Sequence, residues 1–314
     1  MTAFTVLEPG LLTTIQDLGR PGYLRYGIPP SGPVDREAFI LANRLVGNPE
    51  TAAALECTLM GPRLDVDADC LVAVTGAEMP MTVNDRAIPP WTAVRLKAGD
   101  ALRLGTAQRG VRTYLAIAGG IDVAPALGSR STYLRGRLGG LEGRQLKKGD
   151  RLPIGRPTAP LERYEGRRVR AEHIPSYSEE PEVRVVLGLQ ADRFTPAGIA
   201  AFLERPYEML PQSDRMGARL RGPHITHTRG HDIVSDGIPL GGIQVVGDGQ
   251  PIVLLVDRQS TGGYTKIATV CSVDIGRVGQ VRPGQKLWFR KLSLDEAHAV
   301  HRAERARLDA VGLE

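Results

Sequence analysis

The chain has 314 residues, of which 42% are hydrophobic and 5% aromatic, and glycine and proline are abundant. This length is sufficient for one large domain or two ordinary ones whose core needs no disulfide or metal for stability. The formal net charge is +5, but the basic residues are scattered, and no nucleic-acid-binding motif accompanies the densest cluster at 165–170. Nucleic acid is therefore excluded as the expected partner.

The sequence carries no pattern for export, membrane insertion or disulfide formation. The start, "MTAFTVLEPG", lacks the basic and apolar regions of a signal peptide. No apolar run approaches the ~20 residues that a membrane-spanning helix needs. Cys57, Cys70 and Cys271 stand far apart in apolar contexts, which is typical of buried, reduced thiols. We therefore expect a cytoplasmic protein without membrane contact.

The first predicted elements are a polar loop and a helix. Residues 13–35 are punctuated by glycine and proline and carry Gln16, Asp17 and Arg20, which are candidate substrate-binding residues. Residues 35–49 follow, with apolar side chains recurring on one face and "GNP" at the end. This pattern predicts an amphipathic helix that Asp35 caps.

Most of the remaining chain predicts short β-strands. Apolar or alternating segments are bounded by glycine, proline or aspartate: "CLVAVTG" (70–76), "WTAVRL" (91–96), "ALRLG" (101–105), "RTYLAIAGG" (112–120), "VRVVLG" (183–188), "GIQVVG" (242–247), "PIVLLVD" (251–257), "TKIATVCSVD" (265–274) and "KLWFRK" (286–291). Strands this frequent, with few helices between them, favour antiparallel barrels or sandwiches over a βαβ sheet.

A proline-rich, charged segment at 156–181 separates two β-rich parts. It has no apolar periodicity, so we place the domain boundary there. The predicted organisation is an N-terminal β-domain at 1–155, a linker at 156–181, a C-terminal β-domain at 182–292 and a helix at 293–314. Ser293 and Glu296 have the spacing of a capping box at the start of that helix.

The segment "DRQSTGGYTKIATV" at 257–270 raises the question of a phosphate-binding loop. A P-loop requires G-x-x-x-x-G-K-[ST] with a helix starting at the lysine. Here Lys266 follows a threonine and leads into alternating β-branched residues, so the helix N-terminus is missing and a P-loop is excluded. Two interpretations stay open: a solvated hairpin tip, or a pocket wall with Asp257 at a strand end and Lys266 pointing inward.

Other polar clusters allow a structural and a functional interpretation. Ser213-Asp214 and Ser235-Asp236 each precede a glycine turn, where such side chains most often bond their own backbone. His224, His227 and His231 crowd one segment, but its proline and β-branched residues do not form the helical face on which HEXXH-type ligands lie. We therefore expect no metal site.

Several catalytic signatures are absent from the sequence. It contains no G-x-S-x-G elbow, no G-x-G-x-x-G turn between a strand and a helix, no amidase signature and no Met-Lys-Met sequence for biotin attachment. The chain is therefore not expected to carry a covalently bound biotin or any other tightly bound cofactor.

Longer motifs carry a family resemblance. They are "QDLGRPGY", "GIPPSGPVDREAFILANRLVGN", "ALECTLMGP", "VTGA", "SDRMGARLRG", "SDGIPLGGIQVVGDGQPIVLLVDRQSTGGYTKIATV" and "RPGQKLWF". Together they resemble the carboxyltransferase-type family that includes the C component of bacterial 5-oxoprolinase, the sporulation protein KipA and half of the urea carboxylase carboxyltransferase domain. The family is also labelled allophanate hydrolase subunit 2. The resemblance runs from about residue 5 to residue 292 and implies a mainly β fold of two cyclophilin-like β-barrel halves with a few helices.

The resemblance also implies an enzyme component that acts only with partners. In 5-oxoprolinase these are a KipI-like B component and a LamB/YcsF-type A component, and ATP hydrolysis drives opening of the lactam 5-oxoproline to glutamate. In urea carboxylase the equivalent unit transfers a carboxyl group from carboxybiotin, which a partner supplies, to urea. A third alternative is a KipA-like protein that binds a kinase inhibitor and does no chemistry.

Both chemistries hold an amide-like substrate while charge develops on its oxygen. Fixed cationic donors would stabilise that charge, and a carboxylate could orient an N–H group or act as a base. We therefore take three residues as candidate catalytic groups: Lys266, Asp257 and Asp236. The candidate substrate-binding residues are Arg215, Arg258, Gln259, Tyr264, Ser235, Gln16, Asp17 and Arg20.

Overall fold

A computed structural model of the chain describes residues 3–314 and divides it into two compact units. The first unit comprises the chain up to Arg20, Ser31–Ser176 and Val311–Glu314, and the second comprises Pro21–Pro30 and Tyr177–Ala310. The chain thus passes from the first unit to the second inside the segment predicted as a linker, and most of that segment belongs to the first unit.

The first unit is built from two antiparallel sheets and one helix. Its elements are β1 (Ala3–Glu8), β2 (Leu12–Gln16), α1 (Arg36–Leu45), β3 (Ala54–Thr58), β4 (Arg63–Val66), β5 (Cys70–Glu78), β6 (Met81–Val83), β7 (Arg86–Ala87), β8 (Ala93–Leu96), β9 (Ala101–Leu104), β10 (Arg109–Ile117) and β11 (Arg151–Pro153). One sheet has the order β11-β1-β4-β9-β6-β7, and the other has the order β2-β3-β10-β5-β8.

Side chains of the two sheets meet in one apolar core. Phe4 and Leu64 from one sheet and Leu55 and Leu115 from the other are fully buried in it. The opposite face of the second sheet is covered by α1, where the Thr75 hydroxyl donates to the Ala38 carbonyl at 2.7 Å. Burial on both faces explains why β5 reads as a continuous apolar run instead of an alternating one.

The second unit is a closed barrel with a separate ribbon. Its elements are β12 (Glu182–Leu187), α2 (Pro196–Glu204), β13 (Tyr207–Met209), β14 (Gly217–Arg221), β15 (Asp232–Gly237), β16 (Gly242–Val245), β17 (Pro251–Leu254), β18 (Thr261–Tyr264), β19 (Lys266–Val270), α3 (Ile275–Gln280), β20 (Lys286–Lys291) and α4 (Leu294–Asp309). The barrel has the order β12-β19-β16-β17-β14-β13-β20, and parallel pairing of β20 with β12 closes it. Strands β15 and β18 form a separate two-stranded sheet.

The mainly β prediction is confirmed, as are both predicted helices. Asp35 accepts the Ala38 N–H at 3.2 Å and starts α1, which ends at Leu45 and not at 49. Ser293 and Glu296 form the predicted capping box of α4.

The sequence interpretation missed α2 and α3. Helix α2 begins after Thr195, whose hydroxyl accepts the Gly198 N–H at 3.0 Å, but its composition of small and apolar residues lacks a polar face. Helix α3 has six residues, two of them glycine. The strand predicted for 265–274 was too long, because it ends at Val270 and a 3₁₀ turn at Ser272–Asp274 follows.

Candidate functional site

A lysine and an aspartate from different strands meet beside the ribbon of the second unit. Lys266 is the first residue of β19, and Asp236 lies on β15 opposite Gly262 of β18. The Lys266 Nζ is 3.2 Å from the Asp236 Oδ2. The lysine side chain is 12% exposed and the aspartate side chain 56% exposed, so a nearly buried ammonium faces a carboxylate at the solvent boundary.

The electrostatics of this pair favour its charged form. The Lys266 ammonium is the main reason that the pKa of Asp236 is below its ordinary value, and the Gly237 N–H, at 2.6 Å from Oδ1, lowers the pKa further. The Lys266 Nζ is buried and makes no hydrogen bond to any residue within 3–314. It lies 3.2 Å from a single carboxylate oxygen of Asp236, so the ammonium retains donors for a substrate oxygen.

A glutamine that the sequence interpretation missed touches both members of the pair. Gln190 accepts the Lys266 backbone N–H at 2.8 Å through Oε1 and donates to the Asp236 Oδ2 at 3.2 Å through Nε2. Its polar side chain lies three residues after the end of β12, but nothing in the sequence connects it to positions 236 and 266.

Two predicted site residues of the barrel form a buried ion pair with each other. Arg215 donates from Nε to the Asp257 Oδ2 at 2.8 Å and from Nη2 to Oδ1 at 3.3 Å. Both side chains are 5% exposed. Asp257 is thus occupied by a bidentate guanidinium partner, and this contact favours a structural role over that of a general base.

Arg258 is also held by the protein interior. Its Nε donates to the Ile238 carbonyl at 3.0 Å and its Nη1 to the Leu255 carbonyl at 3.4 Å. Burial lowers its pKa from the ordinary value. These bonds fasten the segment that precedes β18 to the residue that follows β15.

The remaining candidates of the second unit lie on or next to the ribbon. Ser235 adjoins Asp236 on β15 and is exposed, and Tyr264 ends β18 and is 40% exposed. Gln259 is exposed in the loop that leads to β18. The structure therefore places Ser235, Asp236 and Tyr264 on one ribbon, and Lys266 lies beside it at the start of β19.

Gln16, Asp17 and Arg20 belong to the first unit. There they form a buried hydrogen-bond network with residues 129–132, which lie between β10 and β11. The Asp17 carboxylate accepts bonds from the Ser129 hydroxyl at 2.5 Å and the Ser131 hydroxyl at 2.7 Å. Gln16 donates to the Thr132 carbonyl, and Arg20 donates to the Ser131 carbonyl. These contacts join the end of β2 and the residues that follow it to residues 129–132.

The histidines form a row of rings beside the same ribbon. Phe194 and His227, His227 and His231, and His231 and Tyr264 have ring centroids 4.7, 6.2 and 5.9 Å apart. The His227 Nε2 is 3.0 Å from the Thr265 hydroxyl, one residue before Lys266. Burial lowers the pKa of His227, and the neighbouring His231 and His224 lower it further.

Metal-ligand clusters and membrane-spanning helices are both absent from the described part of the chain. Across residues 3–314, no group of three or more His, Cys, Asp or Glu side chains is placed to hold a metal ion. Within the same range, no helix is both long and apolar enough to cross a membrane. Lys266 opens a strand and not a helix, so the exclusion of a P-loop is confirmed.

Comparison with known sequences gives one family across most of the chain. Residues 26–291 match the carboxyltransferase domain, subdomain A and B. The chain is 40% identical to the C subunit of the Escherichia coli 5-oxoprolinase over 93% of this chain and 92% of that protein. It is 36% identical to the urea amidolyase of Saccharomyces cerevisiae over 96% of this chain, but it spans only 17% of that protein.

Comparison with solved structures agrees with the sequence matches. The crystal structure of the Kluyveromyces lactis urea carboxylase superposes with a TM-score of 0.92 and 36% identity, covering 98% of this chain and 29% of that one. The K. lactis urea amidolyase gives the same TM-score and identity, with 20% of its chain covered. This chain therefore corresponds to a fifth to a third of those longer proteins.

Proposed function

Because this chain belongs to the family of carboxyltransferase domains, subdomains A and B, we propose that it is the C subunit of a 5-oxoprolinase. The E. coli relative of that name is similar over nearly its whole length, whereas the urea amidolyases are several times longer than this chain. A protein that is named as one subunit works together with others. We infer partners of two types, the KipI-like B component and the LamB/YcsF-like A component, in the cytoplasm, where ATP is available.

One observation carries the chemical part of the proposal: the nearly buried Lys266 ammonium has no hydrogen-bond partner among the described residues. Opening the lactam adds a water oxygen to the ring carbonyl carbon, breaks the C–N bond and transfers a proton to nitrogen. Negative charge develops on the carbonyl oxygen during this step. A fixed ammonium in a site with little water stabilises such charge strongly because it needs no reorganisation.

Asp236 would play the supporting role. Its carboxylate is ionised and partly exposed, so it can accept the lactam N–H and orient the ring, or accept a proton from the attacking water. Ser235 and Tyr264 lie on the same ribbon, and we assign to them the contact with the rest of the substrate. ATP serves the complex as a co-substrate, and no residue of this chain is assigned to it.

A second function is favoured by the structural likeness to urea carboxylase. In a biotin-dependent carboxyltransferase, a partner would bring carboxybiotin, and the same ammonium would stabilise charge on the oxygen of urea or another amide. The two functions use one site and differ in the acceptor and in the partner proteins.

The test is turnover by a purified three-component complex. This chain would be produced together with partners of the B and A types and incubated with 5-oxoproline and ATP, and we expect release of glutamate that depends on all three proteins. A verified complex that releases no glutamate would overturn the proposal. Carboxylation of urea with a biotin carboxylase and a biotinylated carrier would then establish the second function, and neutralisation of a kinase inhibitor without turnover would establish the KipA-like alternative.

A further inference from the structure

Gln190 lies where the pairing between two barrel strands stops. The register of β12 with β19 runs from Val185 opposite Val270 to Leu187 opposite Ala268. The Gly188 N–H still donates to the Ile267 carbonyl at 2.8 Å. The next backbone N–H of β19 in this row belongs to Lys266. It donates to the side-chain oxygen of Gln190 at 2.8 Å, where a continuing strand would supply a backbone carbonyl.

The backbone geometry brings this side chain close to Lys266. A Cβ atom at Gly188 would lie 2.8 Å from the Lys266 carbonyl oxygen, so only a glycine allows the two segments to approach this closely. The chain then enters a single 3₁₀ turn at Ala191–Arg193, which Gln190 precedes. Gln190 is therefore fixed at both its backbone and its amide oxygen.

The orientation of the Gln190 amide follows from its partners. The Lys266 backbone N–H can only donate, so it faces Oε1, and the Asp236 carboxylate can only accept, so it faces Nε2 at 3.2 Å. A flipped amide would set N–H against N–H and oxygen against oxygen. One side chain thus connects the first residue of β19 to the carboxylate that faces its ammonium.

Asp236 is restrained at both carboxylate oxygens: the Gly237 N–H holds Oδ1, and Gln190 holds Oδ2, the oxygen that faces the ammonium. It lies on a two-stranded ribbon, a structure that is marginally stable by itself, and its side chain is 56% exposed. An ion pair open to solvent is screened by water and salt. The bond from Gln190 restrains the carboxylate without adding charge to the site.

We propose that Gln190 is a positioning residue that holds the Asp236 carboxylate against the Lys266 ammonium and fixes the start of β19. This inference deepens the proposed function, and its kinetic consequence rests on that function. Gln190 itself touches no reacting atom. It acts by keeping the carboxylate and the start of β19 in a constant position relative to each other.

The first experiment measures Asp236 directly in the isolated chain. The carboxyl carbons of aspartate would be labelled with ¹³C and titrated by NMR, with Asp236 assigned through Asp236→Asn. We expect Gln190→Leu to raise the pKa of Asp236 by about half a pKa unit or more, because the carboxylate loses a donor and its contact with the ammonium. Leu189→Gln is the matched control, since the side chain of Leu189 is fully exposed next to Gln190, and it should leave the titration unchanged.

Gln190→Glu is the second variant, which serves if Gln190→Leu does not fold. It keeps an acceptor for the Lys266 N–H but sets a second carboxylate beside Asp236, so we expect an even larger upward shift of the pKa of Asp236. Other titratable groups of the ribbon, such as Asp232 and Tyr264, are identical in all variants. An Asp236 titration in a folded Gln190 variant that matches the wild type would overturn the proposal.

The second experiment follows turnover of the complete complex against pH. In Gln190→Leu we expect about a 10-fold lower kcat and an acidic limb of the pH profile that moves to higher pH, because Asp236 loses a donor that helps to hold its pKa low. A fall in kcat by the same factor at every pH, with both limbs of the pH profile at their wild-type positions, would indicate a general loss of structure. That result would contradict a positioning role for Gln190. If the wild-type complex makes no glutamate, the proposed function fails, while the NMR titration still decides the role of Gln190.

Discussion

Arg215 and Asp257 are joined by two hydrogen bonds in the second unit, at 2.8 and 3.3 Å, and both side chains are 5% exposed. Their backbones are also linked, since the Asp257 N–H donates to the Arg215 carbonyl at 2.9 Å. The pair therefore holds the segment before β14 against the segment after β17. We expect its main effect to be on the stability of the second unit.

Removal of one charge from this pair should be strongly destabilising. Asp257→Asn removes the charge of a buried carboxylate that is paired with Arg215, so we expect the free energy of unfolding to fall by about 3–5 kcal/mol. Urea denaturation followed by circular dichroism measures this. Asp309→Asn is the control, because it breaks the exposed Arg305–Asp309 pair of α4 and should cost at most about 0.5 kcal/mol. A loss for Asp257→Asn below about 1 kcal/mol, on the scale of a typical surface change, would contradict the assigned role.

The Lys266 ammonium should be essential for turnover in the assembled complex. Lys266→Met keeps much of the aliphatic stem but removes the charge that we assign to oxyanion stabilisation, so kcat should fall about 100-fold or more. Lys286→Met, at an exposed position of β20, is the matched control and should retain wild-type turnover. Size-exclusion chromatography verifies that assembly is intact. Full turnover by an assembled Lys266→Met complex would remove the central element of the proposed site.

The lowered pKa of His227 should make stability depend on pH. The folded protein holds the pKa of His227 below its ordinary value of 6.5, so between these two values the unfolded chain binds more protons than the folded one. Stability therefore rises with pH through this window and is lost as pH falls from 6.5 towards the folded pKa. Thermal unfolding between about pH 7.5 and about pH 5 measures the effect.

The matched variants for this prediction are His227→Gln and His298→Gln. His227→Gln should reduce the pH dependence of the melting temperature, whereas His298→Gln, at an exposed position of α4, should leave it as in the wild type. An identical pH dependence in wild type and His227→Gln would mean that other groups account for it.

The buried hydroxyl of Tyr114 should contribute measurably to the stability of the first unit. It donates to the Glu56 carboxylate at 2.7 Å and accepts the Asp35 N–H at 2.8 Å. Tyr114→Phe removes both of these buried hydrogen bonds, so we expect a loss of about 1–3 kcal/mol. Tyr133→Phe, at a half-buried tyrosine of the same unit, is the comparison and should cost less. Equal effects of the two changes in urea denaturation would argue against a special role for the Tyr114 hydroxyl.

Short-range patterns in the sequence predict the local structure well. The Asp35 cap, the Ser293–Glu296 capping box and the strands bounded by glycine and proline depend on residues within a few positions of one another. The same locality excludes a P-loop, because the spacing before Lys266 and the strand pattern after it can both be read directly. Helix α2 was missed because its apolar composition gives no periodic contrast.

The partners within the candidate site were decided only by the tertiary structure. Arg215 and Asp257 are 42 positions apart, and Gln190 and Lys266 are 76 apart. Sequence alone selected Lys266 and Asp236 by residue type and loop context, but it could not show that they face each other, that Asp257 is occupied by Arg215, or that Gln190 bridges the pair. Such contacts depend on strand order and register in the closed barrel, because these decide which distant side chains share the low-dielectric environment where charge interactions are strong.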